Sequence, residues 1–312
     1  MRVLVLRALG LGDLLTAVPA LRALRDAHPG SATCLACPAW LHELVEEWQL
    51  VDETVAVGPL EALPSRLVGA DLAVNLHGRG PESTRLVLAT RPRRLIAFRH
   101  ADVPETRSLL RWRPGEHEVA RWCRLLAESG IPADPSRLRL PAPAPTDASR
   151  TGCTVLHSGA SAVARRWPPE RWASLARSEL ASERRVVLTG AGEERAGCLR
   201  IAAAAGLPEE DVLAGRTTLP ELAALVAHAA LVVSGDTGVA HLATAFGTPS
   251  VVLFGPVPPA EWGPPPDASQ QRALWAGRRG DPNAEVPDPG LLALTPERVT
   301  REIEDLRAAS AR

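Results

Sequence analysis

Lysine and tyrosine are absent from these 312 residues, so all 35 basic side chains other than histidine are arginine. Schiff-base chemistry on a lysine is therefore closed to this chain. So is a phosphate-binding P-loop, which depends on one. With Ala, Pro and Gly abundant, the bias is that expected of a GC-rich genome. Cysteine is also scarce. The five residues Cys34, Cys37, Cys123, Cys153 and Cys198 form an odd, scattered set that argues against a disulfide framework. Cys34-x-x-Cys37 superficially matches a redox pair, but the stronger reading is two small buried residues of a parallel strand. No second pair of ligands is spaced for zinc, and no bound metal is expected. No apolar run reaches membrane length, and Arg7 and Asp13 interrupt the apolar amino terminus, so a cytoplasmic protein without leader or anchor is expected. A net charge of −1 gives no sign of a nucleic-acid partner.

What is present is an ordinary globular composition, 46% hydrophobic and 23% charged, in a chain long enough for about two domains. Strand-like and helix-like segments alternate. Arg2 to Ala8 reads as an apolar strand, and Asp13 to Ala27 as a helix with its stripe at Leu14, Ala17, Val18, Leu21 and Leu24. Pro19 lies inside that helix, where it is placed to kink it. Strands at Ala32 to Cys37, Glu53 to Val57, Asp71 to His77 and Arg94 to Phe98 follow, with helices Pro38 to Trp48 and Glu116 to Ser129. The series Pro141-Ala142-Pro143-Ala144-Pro145 reads as a stiff linker. A second alternating series then runs through strands Thr154 to Ser158, Arg185 to Thr189, Ala229 to Val233 and Ser250 to Gly255. Pro256 to Gly290 reads as irregular, and a last helix is expected from Pro296 to Ala309. Repeated βα units predict parallel sheets covered on both faces, with a cleft between two α/β halves as the default site.

The most informative stretch is Ser234-Gly235-Asp236-Thr237-Gly238-Val239-Ala240-His241, at a strand-to-helix turn. Open α/β sheets bind ligands at such turns, and the first helical amides carry the positive end of the helix dipole, which suits a phosphate. His241 lies four residues after Thr237, on the same helical face. The triplet Asp236-Thr237-Gly238 also occurs in aspartic proteases, but there two carboxylates in all-β halves share a proton, so that reading is discarded. Three further turns stand out. Leu9-Gly10-Leu11-Gly12-Asp13 is not a dinucleotide fingerprint, because Leu15 stands where the third glycine belongs. Gly10 and Gly12 allow close approach and Asp13 sits at the mouth of the turn; the plainer alternative is that Asp13 caps the helix. In His157-Ser158-Gly159-Ala160-Ser161, followed by Arg165-Arg166-Trp167-Pro168, hydroxyls and paired guanidiniums form a phosphate clamp, or else solvated charges beside a packed tryptophan. In Thr189-Gly190-Ala191-Gly192-Glu193-Glu194, an acid is placed to hold ribose hydroxyls or simply to favour the dipole.

Taken together, Gly12-Asp13 with Pro19, Gly159-Ala160-Ser161 before Arg166-Trp167-Pro168, Gly190 with Glu193-Glu194, Asp236-Thr237-Gly238-Val239-Ala240-His241, Phe254-Gly255-Pro256 and Trp262-Gly263-Pro264 resemble glycosyltransferase family nine, the bacterial heptosyltransferases. The resemblance runs over nearly the whole chain and is strongest in its second half. It implies the α/β GT-B architecture, two Rossmann-like domains facing each other across a cleft. Residues 1–150 would receive the acceptor, 151–294 would hold a nucleotide sugar, and 295–312 would cross back to the first domain. It implies inverting, metal-independent transfer, usually of heptose from ADP-heptose, to a glycan, lipid-linked or small-molecule hydroxyl acceptor, with no cofactor beyond the donor and with peripheral contact to the cytoplasmic membrane face. Asp13 matches the general base. Ser161, Arg165, Thr237 and Gly238 match positions near the donor diphosphate, and Asp236 and His241 positions near the transferred sugar. One departure is Arg165, where the family usually has lysine; arginine keeps the charge and adds bidentate geometry. A nucleotide-sugar epimerase of the same architecture, a non-catalytic nucleotide-sugar binder and, least favoured, a nicotinamide oxidoreductase are the competing readings.

Overall fold

The computed structural model describes residues 1–310 and divides into two compact units, Met1–Leu138 and the chain from Arg139 onward. The first unit contains β1 (Arg2–Leu6), α1 (Leu11–Ala27), β2 (Ala32–Cys37), α2 (His42–Glu47), β3 (Glu53–Ala56), β4 (Leu72–Asn75), α3 (Glu82–Ala89), β5 (Arg94–Ile96) and α4 (Glu118–Ala127). Its five strands are all parallel in the order β3-β2-β1-β4-β5, with Val3 beside Thr33 on one side and Leu72 on the other. Near-continuous apolar strands are what a sheet buried on both faces demands, and Val3, Leu4, Val5 and Leu6 are all fully buried. Helix α1 runs unbroken through Pro19. Cys34 and Cys37 sit buried in β2, where burial pushes their thiols up to about 11 and about 12.

The second unit contains β6 (Thr154–His157), α5 (Pro169–Ala181), β7 (Val186–Thr189), α6 (Arg195–Ala205), α7 (Leu219–Ala227), β8 (Leu231–Gly235), α8 (Gly238–Phe246), β9 (Ser250–Leu253), α9 (Pro259–Trp262), β10 (Gln271–Leu274), α10 (Pro289–Leu292) and α11 (Pro296–Ser310). Its parallel sheet has the order β10-β9-β8-β6-β7. Counted within each unit, the two orders are 3-2-1-4-5 and 5-4-3-1-2, the two common doubly wound arrangements. Their switch points, where ligands bind in such sheets, lie between β1 and β4 and between β6 and β8.

Several sequence expectations need correction. The division falls at Leu138, not at residue 150, because the proline-rich segment is tied to the second unit: the Leu140 amide donates to the Ala245 carbonyl, and His228 Nε2 lies 2.8 Å from the Pro143 carbonyl. The stretch from Pro256 to Gly290 is not wholly irregular, since β10 adds to the sheet edge beside β9 and α9 lies within it. Helix α3 escaped the periodicity because its buried face is partly polar: Asn75 Nδ2 donates to Ser83 Oγ and Thr84 Oγ1, each at 3.0 Å. The last helix belongs to the second unit, placing Val299, Ile303 and Leu306 in that unit's core with Trp172 and Leu175. Residues 311 and 312 of the expected crossing segment lie outside the described residues.

A buried ion pair fastens α11. Glu179 is 2% exposed, accepts two hydrogen bonds from Arg307 (2.8 and 2.7 Å) and one from Thr154 Oγ1 at 2.6 Å, and lies 3.2 Å from Arg184. Burial pushes its carboxyl up, but the hydrogen bonds from Arg307 and Thr154 and the neighbouring positive charges prevail and hold it below the usual range. A depressed carboxyl contributes stability that is full above its unfolded-state pKa and is lost as pH falls through the lower folded value. Glu179→Ala removes the buried partner of two half-buried arginines and is expected to destabilise the second unit by about 1–2 kcal/mol at pH 7. The difference from wild type should shrink as urea unfolding is repeated from pH 5 downward.

Candidate functional site

The first switch point gathers buried charge around the start of α1. Gly10 is the extended residue preceding the helix, Leu11 and Gly12 are its first helical residues, and Asp13 closes the first turn. The helix therefore starts two residues earlier than the sequence reading placed it, and Gly12 belongs to the helix instead of a loop. The Asp13 carboxylate accepts from the Gly10 amide at 3.2 Å, satisfying one of the donors a helix start leaves unpaired. The capping role is thus real. The same carboxylate also lies 3.4 Å from Arg7 and stays 28% exposed.

Arg7 directly follows the apolar strand β1 and is 1% exposed. Its guanidinium donates to the Asp13 carbonyl (2.6 Å), Thr16 Oγ1 (3.1 Å), Glu118 Oε1 (3.2 Å) and the Leu76 carbonyl, and lies 4.8 Å from the Trp122 ring centre. Glu118 in turn pairs with Arg121 and accepts from Trp122 Nε1 at 2.8 Å. His77, just past β4, accepts the Ala8 amide on Nδ1 at 3.2 Å. Burial, and then the Arg7 charge, lower it to about 4, so it is neutral near pH 7. Sequence reasoning missed Arg7, His77 and Glu118 as site residues. The available signal was a charge at the carboxyl end of an otherwise apolar parallel strand.

The second switch point assembles residues from three turns. His157 ends β6, in register with Thr189 of β7 and Ser234 of β8. Its Nδ1 lies 3.0 Å from Thr189 Oγ1, and burial lowers its pKa to about 4. Beyond β8, Asp236 is 6% exposed and pairs with Arg165 at 3.5 Å. Gly235 makes this approach possible: a Cβ there would sit 3.3 Å from the Arg165 carbonyl. Thr237 precedes α8, yet its side chain makes no cap bond. The Oγ atoms of Ser234 and Thr237 and the Nε of Arg165 are buried without a hydrogen-bond partner among the described residues. Native proteins rarely leave such groups unmet, and each costs roughly 1–3 kcal/mol, so three from the end of β8, the turn after it and the Arg165 loop suit further polar contact.

The remaining candidates are distributed unevenly. Gly238 opens α8, and the His241 ring, one turn on, packs edge-on against Trp262 with centroids 5.9 Å apart. Ser161 is exposed on the turn after β6. Arg166 does not pair with Arg165 in a common clamp; its Nε donates to the Ala160 carbonyl at 2.9 Å. Trp167 packs edge-on against Trp172, the packing role weighed for it from the sequence. Glu193 is exposed. Glu194 is committed to a local cap, accepting the Ala191 amide at 2.8 Å. Its carboxylate lies over Gly159, 1.9 Å from where a Cβ would stand, so a side chain there would push the flexible end of Glu194 off this cap. Among the described residues, no group of three or more His, Cys, Asp or Glu is placed to hold a metal ion, and no helix is long and apolar enough to cross a membrane.

Comparison with known proteins gives these turns a lineage. Lipopolysaccharide heptosyltransferase 2 of Escherichia coli K12 is 32% identical over 150 residues, 46% of this chain and 43% of that protein, so the match spans less than half of the relative's length. Lipopolysaccharide heptosyltransferase 1 of Pseudomonas aeruginosa PAO1 is 29% identical over 289 residues, covering 83% and 80% of the two chains. The solved structure of the E. coli ADP-heptose lps heptosyltransferase II superposes over 100% of both chains with a TM-score of 0.79 at 23% identity. That likeness concerns the fold, and the fold is the GT-B architecture of two Rossmann-like α/β units. The model of glycosyltransferase family 9 (heptosyltransferase) matches residues 87–289, well over half of the chain and inclusive of Arg165, Glu194 and the Asp236 to His241 turn. This protein is a member of glycosyltransferase family 9.

Proposed function

We propose that this protein is an inverting, metal-independent glycosyltransferase that moves a sugar, in the first instance heptose, from an ADP-linked donor to a hydroxyl acceptor. The observation that carries the donor half is the group of unmet donors and hydroxyls at the β8 turn. Arg165, the first amides of α8 and the buried hydroxyls of Ser234 and Thr237 suit the oxygens of a pyrophosphate. Family membership and the names of the relatives, which are lipopolysaccharide heptosyltransferases, support heptose as the sugar and a lipopolysaccharide core as the acceptor class.

In the proposed reaction the acceptor oxygen attacks the anomeric carbon as the bond from that carbon to the diphosphate breaks. The hydroxyl proton passes to Asp13, and nucleoside diphosphate departs with the electron pair of the broken bond. The Asp13 carboxylate is held by the Gly10 amide and Arg7, which orients it before the substrate arrives. The charge gathering on the leaving group is met by Arg165 and by the Thr237 and Gly238 amides, fixed donors that need no reorganisation. Asp236 holds Arg165 in place and lies beside the sugar end of the donor with His241. A nucleotide-sugar epimerase would need no acceptor, so the two readings separate on whether donor is consumed only when acceptor is added.

A thermal-shift panel of ADP, UDP, GDP and dTDP tests the donor class, and selective stabilisation by ADP is expected, since a ligand of the folded state raises its melting temperature by mass action. Arg165→Ala should weaken ADP by about 10- to 100-fold, the worth of a charge-assisted hydrogen bond or two; unchanged affinity in calorimetry would remove Arg165 from the diphosphate site. Asp13→Asn keeps a side-chain oxygen for the Gly10 amide but cannot take a proton. Its kcat for transfer to a truncated lipopolysaccharide core should fall by about 10²–10⁴-fold while ADP affinity holds. Equal loss of binding and turnover would reduce Asp13 to a helix cap.

A further inference from the structure

Capping α1 requires only the bond between Asp13 and the Gly10 amide, yet the first unit buries a whole series of charges behind that carboxylate. The series alternates in sign: Asp13, then Arg7 at 3.4 Å, then Glu118 at 3.2 Å from the same Arg7 nitrogen, then Arg121 paired with the other Glu118 oxygen. Arg7, Glu118 and Arg121 are 1%, 5% and 6% exposed, whereas the Asp13 side chain is 28% exposed. Indole rings line the buried part: Arg7 lies 4.8 Å from Trp122 and Arg121 4.0 Å from Trp112. Burying three charges to support a surface cap is a poor exchange, because buried ions cost several kcal/mol each to desolvate. A site that must deliver one carboxylate in one orientation has a use for them.

We infer that Arg7, backed by Glu118, is a positioning residue that sets both the orientation and the proton affinity of the Asp13 carboxylate. The inference rests on the reading of Asp13 as the base. Orientation follows from Arg7 grasping Asp13 twice, at its carbonyl and at Oδ1, while the Gly10 amide holds Oδ2. Proton affinity follows from charge. The Arg7 cation favours the ionised carboxylate, and Glu118, on the far side of the same nitrogen, draws off part of that field. Arg121 is engaged by Glu118. His77, the other titratable group at this turn, is held neutral by burial and by the Arg7 charge, so it adds no charge near pH 7. Arg7 thereby faces two titratable neighbours, adding its charge to the burial that keeps His77 unprotonated and meeting the Asp13 carboxylate.

Removing Arg7 and removing the Glu118 charge should therefore move Asp13 in opposite directions. In the full-length protein carrying carboxyl-¹³C aspartate, the Asp13 resonance is assigned by its loss in Asp13→Asn. Arg7→Met should raise its titration midpoint by about one pH unit or more, Glu118→Gln should lower it, and Arg7→Lys should restore most of the wild-type value. The acid limb of kcat/KM for transfer from ADP-heptose to a truncated lipopolysaccharide core should move with the midpoint in each variant. A structural role alone would lower stability in both variants without opposed movements. If Arg7→Met fails to fold, Glu118→Gln, which preserves shape, and Arg7→Lys carry the test. Midpoints that stay put, or move the same way in both variants, overturn the inference. Opposed midpoints with an unmoved rate profile would uphold the network and sink Asp13 as the base.

Discussion

A parallel sheet buried on both faces can admit polar side chains only at its edges, and its ligand-facing edge is the carboxyl one, where the strand order reverses. Everything chemical in this protein follows from that constraint. In the first unit the reversal lies between β1 and β4, in the second between β6 and β8. Arg7, Asp13 and His77 gather at the first, and His157, Arg165, Asp236 and Thr237 at the second. The apolar strands beneath, Val3 to Leu6 and Leu231 to Val233, are buried to within 2% and give these groups a rigid base.

The two switch points differ in how their hydrogen bonds are spent. At the first, each polar group discussed has partners within the unit: Arg7 reaches Asp13, Thr16, Leu76 and Glu118, and His77 accepts the Ala8 amide. Such an arrangement fixes a carboxylate in place. At the second, Arg165 and Asp236 hold one another while Ser234, Thr237 and the Arg165 Nε keep unmet capacity. An environment of that kind favours an incoming anion with several oxygens. The first edge has its hydrogen bonds spent within its own unit, and the second keeps some in reserve.

Arg165 in place of the family's usual lysine fits this arrangement. Its Nη1 engages Asp236 at 3.5 Å while Nε is buried without a partner, so the planar fork keeps donors in reserve. The side chain is held at the turn and still offers donors from the same planar group. Glu194 is the opposite case. The sequence pattern offered an acid at this turn for ribose, and the Glu194 carboxylate accepts the Ala191 amide and lies over Gly159.

Much of the architecture was legible beforehand because its signals are local. Apolar strands, helix stripes and the glycine and aspartate turns each depend on residues within a few positions of one another, and so both α/β units and the Asp236 to His241 turn could be read directly. Helix α3 was not legible, since Ser83 and Thr84 bury polar atoms that only Asn75, on another element, makes tolerable. Nor was β10, whose identity as a strand comes from lying beside β9. The proline-rich segment looked like a boundary but is held to the second unit by the Ala245 carbonyl and by His228. Residue types and turn chemistry were thus determined by the sequence alone: Asp13 at a helix start, a phosphate-suited turn at Asp236 to His241, no lysine anywhere. Which charges meet was decided by tertiary structure, because Arg7 and Glu118 are 111 positions apart and Arg165 and Asp236 come from different loops, and only the folding of separate strands onto one edge brings such pairs within a hydrogen bond's length.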